Sequence, residues 1–441
     1  MGISNIIFIL LLIAGISLFI INAKKIRRNI LLGKPVTRND NKAERWKLMT
    51  LVALGQKKMF QRPVPALLHL FVYIGFVLIN IEVLEMFIDG IFGTHRFLSF
   101  LNFESFRLYD IMIGSFEALA FFVTLGCLLF LIRRNIIRVK RLVMKDLDGW
   151  PKTDANLILI AEVLIMSSLF IMNTADQVLQ QMGSEHYNHA GNFPITQFLI
   201  PLFSGINEAT LILIERSAWW FHIFGVLWFL NYLVISKHLH IVLAFPNVFY
   251  SNLNPKGQFT NLESVTNEVK AMLDPSFSPS APVNPNQPMR FGAKDVFDLS
   301  WKQLLDAYTC TECGRCTSAC PANQTGKLLS PRKIMMDTRD RLEEVGKNID
   351  KNKQFVDDGK SLFSNYISAE ELWACTSCNA CVQECPVNID PLSIIIDIRR
   401  YLVMEQSAAP QSINMMATNI ENNGAPWQYS PSDRLNWANE Q

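Results

Sequence analysis

The chain has 441 residues, half of them hydrophobic, and a formal net charge of only +2. Its length allows two or three domains, and its near-neutral balance excludes nucleic-acid binding, which needs a strong basic field. Eight of the nine cysteines fall in two short runs, which excludes a disulfide framework and points to a reducing compartment for residues after about 245.

Residues 3–23 form a continuous apolar run, about 30 Å long as a helix. No basic segment precedes it, and Lys24, Lys25, Arg27 and Arg28 follow at once. That is the pattern of a retained membrane helix rather than a cleavable signal, with its basic end in the cytoplasm. Further spans are predicted over 64–87, 108–132, 155–175 and 211–235. The connections 24–63 and 133–152 are strongly basic, whereas 176–210 contains no Lys or Arg. Five spans with the N-terminus outside satisfy the charge rule at every loop. They leave the C-terminal half in the cytoplasm, beneath the inner membrane. Residues 195–206 are too short and proline-broken to span, so they lie along the outer surface or cover a cavity.

His95, His186 and His189 fall in the outer loops and read as exposed. His69, His222, His238 and His240 lie in or beside the spans, where histidine is costly and usually functional. Axial ligation of haem iron is the strongest use. His69 near the start of the second span and His238 or His240 at the end of the fifth share a depth, which predicts one haem b between them. On a continuous helix His238 and His240 differ by about 200°, so only one faces His69. On the same helix His222 and His240 share a face about 27 Å apart. A second haem is less well supported, because the second span offers Ile79 and Asn80, not histidine, at the outer level. His222 with Glu215, Arg216, Trp219 and Trp220 reads either as a quinone or proton site or as helix-to-helix bonding and aromatic anchoring. Glu82, Glu85, Glu117 and Glu162 carry the same two readings.

A short helix is predicted over 262–273, then a proline-rich connector over 274–289. A helix follows over 298–308, with Asp298 or Ser300 near its cap. Cys310, Cys313, Cys316 and Cys320 form a Cys-x2-Cys-x2-Cys-x3-Cys-Pro run, and Cys375, Cys378, Cys381 and Cys385 repeat it 65 residues on. This is the spacing of a two-cluster ferredoxin, each run giving three thiolates to one [4Fe–4S] cluster and the fourth to the other. It pairs Cys310, Cys313 and Cys316 with Cys385, and Cys375, Cys378 and Cys381 with Cys320. Gly314 permits the tight wrap, and Asn379 takes that place in the second run. A four-cysteine zinc site typically uses separated pairs instead. Helices are predicted over 329–345, started by Ser330 and Pro331, near 365–373 with Ser368 as cap, and over 391–404. Residues 405–441 show no clear pattern and read as a tail.

The cysteine runs with their helical insert resemble the heterodisulfide-reductase C-subunit type of ferredoxin domain. Residues 1–245 resemble the nitrate reductase gamma-subunit type of five-span cytochrome b. The second resemblance implies two histidine pairs: His69 and His240 match the inner pair, His222 matches one outer ligand, and Ile79 stands where its mate belongs. Together the resemblances imply a membrane protein linking a quinone pool to a cytoplasmic redox partner. The chain has neither the CCG motifs of the catalytic heterodisulfide-reductase subunit nor a Gly-x-Gly-x-x-Gly dinucleotide motif. Substrate chemistry is therefore expected on a partner, a soluble cysteine-rich (CCG-type) protein or a flavoprotein.

The expected fold is all-α: a five-helix transmembrane bundle (1–245), a Pro-rich linker (246–297), a mostly helical dicluster ferredoxin domain (298–404) and a tail (405–441). The expected function is electron transfer between quinone and a cytoplasmic partner through haem b and two [4Fe–4S] clusters. The rivals are an iron–sulfur membrane anchor without haem, and the membrane subunit of a heterodisulfide-reductase-like or 2-hydroxy-acid oxidoreductase.

Overall fold

A computed structural model describes residues 2–255, 257–277 and 290–439. The regular structure among the described residues is helical apart from isolated bridges and one two-stranded antiparallel ribbon, Asn102–Phe103 with Phe106–Arg107. Residues 278–289 of the predicted connector lie outside the described residues, and the helix before them forms at Glu263–Leu273. The chain divides into two compact units. The first comprises residues up to Arg28, Ala43–Phe249 and Tyr308–Gly314; the second comprises Asn29–Lys42, Tyr250–Ala307 and Arg315 onwards.

In the first unit five helices are long and apolar enough to cross a membrane. They are α1 (Ile3–Ile30), α2 (Pro63–Phe92), α3 (Leu108–Asn135), α4 (Trp150–Met182) and α5 (Glu208–Leu233). Pro63 and Pro151 sit in the first turns of α2 and α4, where their missing N–H groups cost nothing. Both helices end on a left-handed glycine, Gly93 at φ 73° and Gly183 at φ 72°. Asn207 starts α5 by accepting the Thr210 N–H at 2.9 Å. Arg27 and Arg28 close α1, and Arg133 and Arg134 close α3. Those ends therefore face the cytoplasm, and the chain is a multi-pass inner-membrane protein whose C-terminal half is cytoplasmic.

The bundle core is apolar and includes Phe8, Ile79, Tyr109, Ile113, Leu169 and Ile223. Leu10, Val77, Phe121, Leu164 and Phe224 are exposed on its outside, as lipid-facing positions require. A Cβ on Gly75 of α2 would stand 2.3 Å from Val123 Cγ2 of α3, so glycine is what lets those helices approach. Asn231 donates to the Gly15 carbonyl at 3.0 Å and ties α5 to α1.

The fifth span is not one helix as far as His240. Helix α5 ends at Leu233, a single 3-10 turn covers Lys237–Leu239, and a new helix α6 (His240–Phe249) begins. The cause is Ser236, whose Oγ accepts the His238 N–H at 3.1 Å and caps the new turn. The helical-wheel relations of His222, His238 and His240 therefore do not hold.

In the second unit the helix Pro331–Asn352 starts as expected, with Ser330 accepting the Lys333 N–H at 3.3 Å. It packs on Pro391–Met404, which Asp390 caps by accepting the Ser393 N–H. Ser368 and Glu371 form a capping box. Arg341 is fully buried and bridges Asp295 at 2.8 Å and Asp358 at 2.6 Å. The region after 404 departs from the unpatterned tail expected of it, since a helix forms at Gln411–Asn423 and stops at Gly424, φ 63°. Pro410 before it and Gly424 after it are ordinary helix punctuation.

Candidate functional site

The two cysteine runs repeat one backbone path. Glu312 and Ser377 have φ 57°, and Gly314 and Asn379 have φ 70° and 61°. Left-handed residues at matching positions curl each run, and an asparagine serves where the first run has glycine. One-turn helices then follow, Arg315–Ala319 and Ala380–Glu384, packed on each other within the second unit. This brings Cys320 within electrostatic reach of Cys375 and Cys381, with Cys378 beside Cys375. Burial pushes the Cys375 and Cys381 thiols up.

Backbone amides already face the sulfurs: Ser377 N–H lies 3.4 Å from Cys375 Sγ and Ile389 N–H 3.3 Å from Cys385 Sγ. Such bonds tune cluster potentials. Arg399 donates to the Cys375 carbonyl at 2.5 Å and stacks over Trp373. Among the described residues no three His, Cys, Asp or Glu side chains close around a single ion. A cubane binds each thiolate to a different iron, so its ligands stand farther apart than those of one ion.

At the cytoplasmic end of the bundle His69, His238 and His240 come together. The His69 and His240 ring centres are 6.4 Å apart, and those of His238 and His240 are 5.7 Å apart. His69 Nδ1 donates to Gln56 Oε1 and His240 Nδ1 to the Lys237 carbonyl, both at 3.1 Å. Each bond fixes the tautomer and leaves Nε2 as the acceptor nitrogen. His238 Nε2 is buried with no hydrogen-bond partner. Burial first, then the neighbouring His240 and His69, pushes the His238 pKa down to about 3. Burial lowers that of His240 too, so both rings are neutral near pH 7. His222 stands elsewhere, fully buried, with Nδ1 3.0 Å from the Ile165 carbonyl and Nε2 unpartnered.

Lys237 links the histidine end to the first cysteine run. Its carbonyl orients His240, while its side chain pairs with Glu312, between Cys310 and Cys313, and donates to the Pro151 carbonyl at 2.6 Å. Asp154 lies 3.8 Å from its Nζ and accepts the Lys237 N–H at 3.1 Å. Arg141 donates to the Cys313 carbonyl. Sequence reasoning missed Lys237, Glu312 and Arg141. Two basic residues beside candidate ligands carried no motif.

The outer end differs from expectation at His95, whose side chain is only 8% exposed and whose Nε2 lies 2.9 Å from Asp176 Oδ1. Arg96 is buried beside it and donates to Asp176 and Asn173, each at 2.8 Å, and to Glu82 at 3.3 Å. Glu85 accepts from Tyr109 Oη at 3.1 Å and from Leu98 N at 2.8 Å. Segment 195–206 packs on α4 and is tied to α3, where Ile195 N–H donates to Glu117 at 2.7 Å. These acidic residues are thus engaged in bonds between elements. His186 and His189 are exposed, as expected.

The family described as "4Fe-4S dicluster domain" matches residues 309–389. Over 98% of its length the chain is 26% identical to the Bacillus subtilis protein named "Probable iron-sulfur-binding oxidoreductase FadF", of which it covers 60%. Over 98% of its length it is also 26% identical to the "EtfAB:quinone oxidoreductase" of Syntrophomonas wolfei, of which it covers 59%. The chain thus spans about 60% of the length of these relatives. Over 27% of its length it is 32% identical to the C-subunit of the "Ferredoxin/F(420)H(2)-dependent CoB-CoM heterodisulfide reductase" of Methanosarcina acetivorans, covering 60% of it. No solved structure matches. With five membrane spans and a dicluster iron–sulfur domain, the chain is a membrane-anchored iron–sulfur electron-transfer protein.

Proposed function

We propose that this chain passes electrons between membrane quinone and a cytoplasmic partner through one haem b and two [4Fe–4S] clusters. Its partner would be a soluble redox protein, cysteine-rich of the CCG type or a flavoprotein such as the EtfAB in the name of one relative. That name also contains quinone. Substrate catalysis would then sit on the partner.

The observation that carries the haem reading is the histidine end. Two imidazoles that would hold one iron, each nitrogen about 2 Å from it as in other histidine–metal bonds, have ring centres within about 6 Å of each other. The 6.4 Å between His69 and His240 fits that separation. Both rings have Nδ1 anchored, which is the usual support of a ligating histidine. Gln56 is itself held at φ 49° to reach His69. The orphaned Nε2 of His238 is a further buried acceptor at the same end. His69 and His240 would hold the iron, with His238 the alternative to His240. A bound haem supplies reversible one-electron transfer.

By spacing, Cys310, Cys313, Cys316 and Cys385 would hold one cubane, and Cys375, Cys378, Cys381 and Cys320 the other. A haem-free iron–sulfur anchor is the second reading, favoured because the relatives' names speak of iron–sulfur and ferredoxin and not of haem. His69→Ala in the full-length protein separates the two. The first reading expects loss of the b-type absorbance with both cluster paramagnetic signals kept. A full b-type signal in the variant would show that His69 is no ligand, and no b-type signal in the wild type would leave the anchor.

A further inference from the structure

Between α1 and α2, at the cytoplasmic end of the bundle, the chain forms a short helix, Lys42–Leu48, continued by a π-helical stretch, Met49–Leu54. A 3-10 turn, Met59–Gln61, then leads into Pro63 at the start of α2. The inner side of this connection is occupied. Val52, Ala53 and Gln56 are buried, and the π-helical stretch packs on α6. Arg45 donates to the Phe249 carbonyl at 2.9 Å, and Gln56 holds His69. The outer side is not covered: Trp46, Leu51, Leu54 and Phe60 are 42–58% exposed. Single exposed apolar residues are ordinary, but four large ones on one short connection mark a site of interaction.

Position and charge select what covers them. Phe60 lies just before α2, whose first turns expose Val64 and Leu67 on the outside of the bundle. Exposed apolar surface therefore runs on from the connection into the lipid-facing side of the span. Between Ala43 and Arg62 stand five basic residues and one acid, Glu44. Lys57 is exposed, and Lys58 and Arg62 bracket Phe60 in sequence. A tryptophan and aliphatic side chains with a basic rim are the composition of an element that lies in the head-group layer. A soluble acidic protein would satisfy the charges, but it gives no reason for the apolar surface to continue into the span.

We infer that the connection is an interfacial anchor seated in the cytoplasmic leaflet, and that it binds an acidic phospholipid. Trp46, Leu51, Leu54 and Phe60 enter the boundary between head groups and acyl chains. Lys57, with Lys58 and Arg62, meets the phosphate of the lipid. The segment held in this way is the one that presents Gln56 to His69. The inference stands on the membrane topology alone and needs neither haem nor quinone.

The test uses the full chain in phosphatidylcholine nanodiscs with a varied fraction of phosphatidylglycerol. Phosphatidylcholine brominated in its acyl chains quenches tryptophan fluorescence on contact, and the difference between wild type and Trp46→Phe isolates Trp46. Its emission is expected to be quenched by that lipid and shielded from iodide in the buffer. Leu54→Asp, at an exposed position, is expected to reverse both. Hydrogen exchange of the amides over 49–61 should slow as phosphatidylglycerol is added. Lys57→Gln is expected to weaken that apparent affinity about fivefold, and added salt to weaken it further. Trp46 quenched by iodide and not by lipid means that this side is open to water and to a protein partner, which overturns the inference. Exchange that is indifferent to phosphatidylglycerol and to Lys57→Gln overturns the acidic-lipid site.

Discussion

Lys237 offers a sharp test of how the first cysteine run is held. Its side chain is 9% exposed and pairs with that of Glu312, which is 2% exposed. Burial pulls the Lys237 pKa down, and Glu312 and then Asp154 pull it back. Removing one member of such a pair leaves the other charge buried and uncompensated, at a cost of about 3–5 kcal/mol. Asp154 keeps its bond from Tyr232 Oη at 2.6 Å. Lys237→Met should therefore raise local opening of the loop between Cys310 and Cys313 by about 10²–10⁴-fold. The His240 anchor is a backbone carbonyl and survives the change. Hydrogen exchange of the amides around 310–314, in the full chain in nanodiscs, measures the opening. Glu312→Gln should do the same, and the double variant should recover most of the protection, because neither charge is then stranded. Strictly additive effects, or unchanged protection in Lys237→Met, would refute the reasoning.

Other consequences are simpler to check. Cys320→Ser should abolish the paramagnetic signal of the cluster held by the second run and spare the other; loss of the first alone would reverse the ligand pairing. Arg341→Leu strands Asp295 and Asp358 in the second unit and should cost about 3–5 kcal/mol in thermal unfolding of the full chain. The Arg341 bond holds the Asp358 carboxyl below its ordinary value. Its contribution is thus complete above the unfolded carboxyl range, near pH 4, and is lost as pH falls through the lowered value. An acid unfolding limb that is identical in wild type and Arg341→Leu would count against that pairing.

Features governed by local chemistry were legible. Cysteine spacing, the caps at Ser330 and Ser368, and the left-handed places of Gly314 and Asn379 all depend on residues within a few positions of one another. The five spans followed from hydropathy and loop charge. The meeting of His69 with His240 was readable because antiparallel spans set depth. The break after Leu233 was missed because an apolar run conceals a cap, although Ser236 was its signal. The burial of His95 is not legible locally, because its partner, Asp176, is 81 positions away in sequence. Long-range pairing of this kind leaves no periodic trace. The helix Gln411–Asn423 was overlooked for its weak apolar pattern, despite Pro410 and Gly424 at its ends.

Cofactor stoichiometry in the purified full chain tests the central claim most directly. Acid-labile sulfide, total iron and a reduced-minus-oxidised spectrum are measured on one sample. The account predicts about nine irons per chain, eight in two four-iron clusters and one in a b-type haem. Eight cluster irons with no b-type band would contradict the haem path at His69 and His240, and four would contradict the paired-cluster assignment itself.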